Sequence, residues 1–133
     1  MVFSRATGYG IRALAYMARQ KDLRLCGIGE IATNERIPPV YLRKILAELR
    51  RQRFVKSVKG VHGGYLLAQM PDSITLWDIY KVLNNDPFLD ECILCGSSDE
   101  NLTCSFCSDW KRIREDLMMT LKEKTIADFA VKL

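Results

Sequence analysis

The stretch Pro39-Val40-Tyr41-Leu42-Arg43-Lys44-Ile45-Leu46-Ala47-Glu48-Leu49-Arg50-Arg51 decides the fold. Leu42, Ile45, Leu46 and Leu49 recur at helical spacing as one apolar stripe, while Arg43, Lys44, Arg50, Arg51 and Arg53 crowd the remaining surface. Pro38-Pro39 opens this helix, because a proline in the first turn lacks only an N–H that would have no intrahelical partner. Phe54-Val55-Lys56-Ser57-Val58 then alternates as a strand, Gly60 and Gly63-Gly64 mark a tight loop, and Tyr65-Leu66-Leu67-Ala68 reads as the returning strand. Upstream, Ile28 to Asn34 predicts a short helix with Ile31 and Ala32 inward, followed by a tight turn at Glu35-Arg36-Ile37. Two helices joined by a short turn, then a two-stranded hairpin, is the plan of a winged helix-turn-helix.

Further out, Ile11, Leu14, Ala15 and Ala18 place a first helix over about residues 7–20. Thr75-x-x-Asp78 is a capping-box pattern opening a helix that carries Leu76, Ile79 and Leu83 inward and ends near Asn84-Asn85. Phe106, Trp110, Ile113, Leu117 and Leu121 form a narrow stripe on a long helix over residues 105–123. So narrow a stripe fits a helix–helix seam, and a two-fold partner helix is the expectation. The fold class is mainly α with a small β-hairpin wing: a winged helix-turn-helix plus a long dimerisation helix, in one domain over 1–133. Within it, 1–84 form the DNA-binding part, 85–108 a cysteine-rich sensor loop, 105–123 the dimerisation helix and 124–133 a C-terminal tail.

Composition narrows the function. At 133 residues and 48% apolar, the chain can bury a core without disulfides. Residues 1–60 hold 13 Lys+Arg against 4 Asp+Glu, whereas residues 61–133 hold 7 against 12. A basic half with helical periodicity is a footprint for nucleic acid. The longest apolar run, Ala13 to Ala18, is too short for a membrane span or a signal-peptide core. Clustered cysteines without an export signal point to the reducing cytoplasm. No Ser/His/Asp or Cys/His arrangement and no phosphate-cradling glycine motif occurs, so no enzyme is expected.

Four of the five cysteines fall in Cys92-x2-Cys95-x8-Cys104-x2-Cys107. Two such pairs let four thiolates converge on one ion or cluster, and the donor type suits tetrahedral zinc as well as iron–sulfur. A reversible disulfide switch uses the same residues. Asp90, Glu91, Asp99 and Glu100 surround them with negative charge. Cys26 stands alone and reads as a small core residue. His62, the one histidine, sits at the hairpin tip without a second ligand nearby.

Ile28-Gly29-Glu30-Ile31-Ala32, Pro39 to Leu46, and Val58-Lys59-Gly60-Val61-His62-Gly63-Gly64-Tyr65-Leu66-Leu67 together resemble the Rrf-two family of bacterial transcription regulators, with its IscR-type and NsrR-type iron–sulfur repressors. Phe3 to Leu14, Cys104 to Trp110 and Thr125-Ile126-Ala127-Asp128 extend the likeness over nearly the whole chain. The resemblance implies a helix-turn-helix over Ile28 to Arg51. It puts Val40, Tyr41, Arg43 and Lys44 at the exposed start of the recognition helix, with Lys59 to His62 in the wing. Arg43 replaces an acidic residue that some members use to discriminate DNA sites. Members usually offer three cysteines and a fourth ligand that is a histidine or a partner's acidic residue. Here Cys107 stands in the histidine's place, Gly8 in the acidic residue's, and Cys95 comes earlier than the usual middle cysteine. Such a site needs no ligand from across a dimer, and zinc becomes a stronger rival.

The expected function is therefore a homodimeric regulator of double-stranded DNA, a repressor with no membrane association. A two-iron or four-iron cluster on Cys92, Cys95, Cys104 and Cys107 would sense iron–sulfur status, redox state or nitric oxide. Its DNA contacts are expected from Val40, Tyr41, Arg43, Lys44, Arg50, Lys59 and His62. One alternative is a regulator with a structural zinc or thiol switch and another effector. Alternatives of other classes are a small redox or electron-transfer protein and a zinc-stapled adaptor. Neither requires the basic half or the winged pattern.

Overall fold

Ser4 caps the first helix. In the computed structural model, which describes residues 4–84, 91–96 and 104–130, its hydroxyl accepts from the Thr7 N–H at 3.1 Å. Phe3, Asp90, Asp99 and Glu100 lie outside the described residues. Helix α1 spans Arg5–Arg19 and buries Gly10, Ala13, Leu14, Ala15 and Met17. Ile11 and Ala18, expected inward, are only half-buried. The reason is the crossing of the later helix α4 (Leu76–Leu83): a Cβ on Gly10 would lie 2.4 Å from Leu83 Cδ1, so the close face is set by the smallest residue.

Helix α2 (Ile28–Glu35) ends where Arg36 turns left-handed at φ 54°, and α3 (Pro39–Arg51) follows with Pro39 in its first turn. Leu42, Ile45, Leu46 and Leu49 are all buried, as their spacing predicts. Strand β1 (Val55–Val58) pairs antiparallel with β2 (Gly64–Leu67), Val55 opposite Leu67 and Val58 opposite Gly64. The first strand thus starts one residue later than expected and ends where expected, and the second is shifted by one residue towards the hairpin loop.

The base of this hairpin is fastened to the segment before α2. Cys26 and Tyr65 exchange two backbone hydrogen bonds, of 2.8 Å and 2.7 Å. Space explains the paired glycines: a Cβ on Gly64 would fall 2.4 Å from the Cys26 carbonyl oxygen, and one on Gly63 2.1 Å from that of Val58. No side chain fits at either place.

Thr75 and Asp78 form the expected capping box on α4, whose Leu76, Ile79, Tyr80 and Leu83 are buried. Helix α5 (Cys107–Glu123) and the short α6 (Ile126–Ala130) complete the fold. The Leu76 N–H donates to Lys124 O and the Ile126 N–H to Ile74 O, both at 2.9 Å, so the α5–α6 junction is stitched to the strip entering α4. One continuous core results, from Leu14 of α1 through Leu46 of α3 to Ile126 of α6.

A polar network ties α1 to α2. Tyr16 Oη donates to Glu30, and Arg24 makes a 2.5 Å ion pair with the same carboxylate. Arg19 pairs with Glu35 at 2.6 Å. The Arg24 guanidinium holds the Glu30 carboxyl below the usual carboxylate range, with Tyr16 assisting, while burial raises the Tyr16 phenol.

Two outcomes are expected. Gly64→Ala should cost roughly 1–3 kcal/mol by forcing overpacked backbone apart; a urea denaturation midpoint unchanged from wild type would mean that the wing base is not fastened. Because Glu30 is held low in the folded state, its stabilisation is present above its unfolded value of about 4.3 and is lost as pH falls through the folded value. Glu30→Gln should therefore be less stable than wild type at neutral pH and should lose less stability on acidification through that window, read from thermal melts across pH.

Candidate metal centre and nucleic-acid interface

The two C-x-x-C pairs close on one another. Cys92 Sγ lies 3.6 Å from Cys104 Sγ, Cys95 Sγ 3.5 Å from Cys107 Sγ, and Cys104 Sγ 3.2 Å from Cys107 Sγ. All four sulfurs sit within 4.8 Å of one another. The first pair rides on a turn closed by the Gly96 N–H donating to Cys92 O at 2.8 Å, with Gly96 left-handed at φ 70°. The second pair sits at the start of α5, where Cys107 is the first helical residue and its N–H donates to Cys104 O at 3.1 Å. Trp110 holds the two halves together, its Nε1–H donating to Glu91 O at 2.7 Å.

Cys92 is buried and Cys95 exposed, with Cys104 and Cys107 between. Backbone N–H groups of Cys95 and Leu94 aimed at its sulfur lower the Cys92 thiol to about 6. Hydrogen bonding to the Cys104 sulfur is the main cause that pushes Cys107 up to about 12. Four sulfurs this close cannot all carry charge unless a cation offsets their repulsion, and soft thiolates are the donors that zinc and iron–sulfur centres take. Cys26 takes no part: it is fully buried in the core, and burial raises its thiol above the ordinary range.

The DNA-facing candidates lie on a different surface. Val40 and Tyr41 are 68% and 61% exposed at the start of α3, large apolar surfaces that the fold leaves in solvent. Arg43, Lys44 and Arg50 are exposed on the same helix, and Arg51 pairs with Glu48 at 2.6 Å. Lys59 and His62 are exposed at the hairpin tip. Val61, between them and 98% exposed, was not singled out by sequence reasoning. Its signal was there: an apolar residue between Gly60 and Gly63-Gly64 has no core to reach. Such a side chain suits contact with a thymine methyl or a sugar.

The α5 stripe is only partly covered by its own chain. Trp110 and Leu121 are buried in the chain's own core, and Phe106 and Leu117 are half-buried against it. Ile113 is 43% exposed, and Met119 is exposed on another side of the helix. No helix among the described residues is long and apolar enough to cross a membrane.

Comparison with known proteins agrees with this geometry. The chain is 36% identical over 132 residues to an Aquifex aeolicus protein assigned to the HTH-type transcriptional regulators, covering 96% of this chain and 90% of that one. The structure of CymR, the global cysteine regulator of B. subtilis, superposes with a TM-score of 0.82 at 27% identity, over 96% of this chain and 95% of CymR. IscR of T. potens superposes at 0.75 with 28% identity, over 94% and 82%. The family described as Rrf2, iron-dependent transcriptional regulator, matches residues 3–132. With its winged helix-turn-helix and exposed basic recognition helix, the chain belongs to the Rrf2 family of helix-turn-helix transcriptional regulators, DNA-binding proteins and not enzymes.

Proposed function

We propose that this regulator works in the cytoplasm as a homodimeric repressor whose DNA affinity follows the state of a metal centre on Cys92, Cys95, Cys104 and Cys107. The observation that carries this reading is the convergence of four sulfurs at the first turn of α5. That helix is joined at its far end to the strip between wing and α4, through the Leu76–Lys124 and Ile126–Ile74 backbone bonds. A change at the centre therefore has a stiff route towards the DNA-binding part. The family's iron dependence supports an iron–sulfur cluster as occupant, with iron–sulfur status, redox state or nitric oxide as the signal. Zinc is the second reading, favoured by the spacing of the sulfurs.

Arg43, Lys44, Val40 and Tyr41 would meet base edges in the major groove. Arg50 and Lys59 would meet phosphate, and His62 the backbone beside the wing. Arginine suits guanine edges, so the replacement at Arg43 alters which operator is read. The subunit seam would be centred on Ile113, the residue of the α5 stripe that its own chain leaves most open, with Phe106 and Leu117 at its margins. Trp110 and Leu121 would support that seam from beneath.

Footprinting and affinity measurements test the regulatory reading. Metal-loaded and chelator-stripped protein should differ in operator affinity by roughly 5–150-fold, the range of ordinary allosteric coupling. Protection should fall on two half-sites about one helical turn, or a multiple, apart. Arg43→Ala should relax base preference by about 1–3 kcal/mol at one position, whereas Arg50→Ala or Lys59→Ala should weaken all sequences alike and flatten the salt slope by about one unit. Equal affinity of loaded and stripped protein would sink the sensor reading while leaving the DNA reading intact. In sedimentation, Ile113→Asp should yield monomers; a stable dimer of that variant places the seam elsewhere.

A further inference from the structure

The close contacts among the sulfurs specify more than the presence of a metal. A single tetrahedral ion with metal–sulfur bonds of about 2.3 Å spaces its thiolates about 3.8 Å apart, the edge of the tetrahedron. The separations found are 3.6, 3.5 and 3.2 Å, with every pair inside 4.8 Å. In a two-iron cluster the cysteines bind in pairs, two to each iron, and in a four-iron cluster each binds its own iron; in both, bridging sulfide holds the irons apart. Sulfurs on different irons must then stand farther apart than ligands sharing one ion. Here all four are gathered as if on one centre, and no sulfur of the set is splayed away from the rest.

The attachment of the two pairs reinforces that reading. Cys104 and Cys107 are fixed by the first turn of α5, and Trp110 from the same helix clamps the Glu91 carbonyl beside Cys92. Widening the site for a cluster would require the Cys92–Cys95 turn to move off α5, against a 2.7 Å hydrogen bond from a tryptophan that is itself buried. On a single ion, four cysteines leave no coordination position open, the arrangement of structural zinc.

From this we infer that Cys92, Cys95, Cys104 and Cys107 form a closed mononuclear four-thiolate centre that takes zinc(II), not an iron–sulfur cluster. The inference rests on the reading of these cysteines as a metal centre, and it puts zinc in place of the iron–sulfur occupant that the family's iron dependence favours. The ion staples the turn carrying Cys92 to the start of α5. With all four positions filled by thiolates, it offers no site to water or a small ligand. Zinc also has no redox chemistry of its own. Any chemical signal at such a centre must act on the sulfurs, or by removing the ion.

The test is elemental. The full-length protein should be produced in cells supplied with both iron and zinc, purified without oxygen, and assayed for metals and acid-labile sulfide. One zinc per chain, no sulfide and a colourless protein are expected. Exchange with cobalt(II) should give the visible bands of a tetrahedral four-thiolate site. Cys107→Ser should lose both zinc and cobalt spectrum, and Cys26→Ser should keep both. If Cys107→Ser fails to fold, the metal, sulfide and cobalt measurements on wild type still decide. Stoichiometric iron, with or without sulfide, overturns the inference, as does a chain that neither carries zinc nor binds one equivalent of added zinc(II). No DNA enters these measurements. An iron-loaded protein whose operator affinity depends on loading would end the zinc assignment and keep the sensor reading, whereas a zinc protein indifferent to stripping would keep the zinc and end the sensor reading.

Discussion

Helix α1 reaches the other helices of the core only because it offers them almost no side chain where they cross. Gly10 admits Leu83 of α4 to a distance at which a methyl group would collide, and Ala13 and Ala15 continue the shallow face. Close approach lets α1 lie against α2, α3, α4 and α6 at once, leaving Leu14 and Met17 as the large groups that fill the spaces between them. Interiors are packed as densely as organic crystals, so this crossing fixes where the neighbouring helices sit. Where α3 sits determines which residues face outward at its first turn. The exposed face at the start of α3, the proposed DNA-facing surface, is thus a consequence of small residues on α1.

A second joint works through polar groups. Asn84, buried at the end of α4, accepts from the Ser4 N–H at 2.7 Å, and the Ser4 hydroxyl donates to Leu83 O at 3.2 Å. The two helix termini satisfy each other's orphaned backbone groups, which would otherwise be costly inside a protein. The four-cysteine cluster and α3 therefore belong to a frame whose corners are tied: α1 to α4 at Asn84, α4 to α5 at Leu76 and Lys124, and α5 to the cysteine turn at Trp110.

Where burial follows large apolar side chains, the sequence is readable. The stripe on α3 and the capping box on α4 appear as their patterns require, and the cysteine spacing brings four sulfurs together. Burial that follows small residues is not readable in this way. Hydropathy drew the inward face of α1 through Ile11 and Ala18, because glycine carries no apolar signal although its lack of a side chain is what the crossing uses. Periodicity gave α5 an apolar face but could not say which neighbour covers each residue, and Trp110 and Leu121 turn out to serve their own chain. Backbone pairing is hidden for a different reason. Cys26 reads correctly as a buried residue, yet its bridge to Tyr65 involves no side chain and leaves no mark on residue type other than the bare glycine beside it.

That bridge has a consequence for how the hairpin moves. Its two reciprocal backbone bonds make the base of the wing part of the α1–α2 connector, so the base exchanges its amide protons with solvent only when the connector opens as well. Residues 59–62 beyond it carry no such restraint from the connector, and Val61 and His62 stand in solvent. If the wing enters a nucleic-acid groove as proposed, adaptation would be concentrated in a few tip residues, and the entropy lost on binding would be that of ordering those residues and not a whole arm. A stiff stem with a short exposed end would keep the wing's angle constant while its contacts adjust to the shape of the groove beneath.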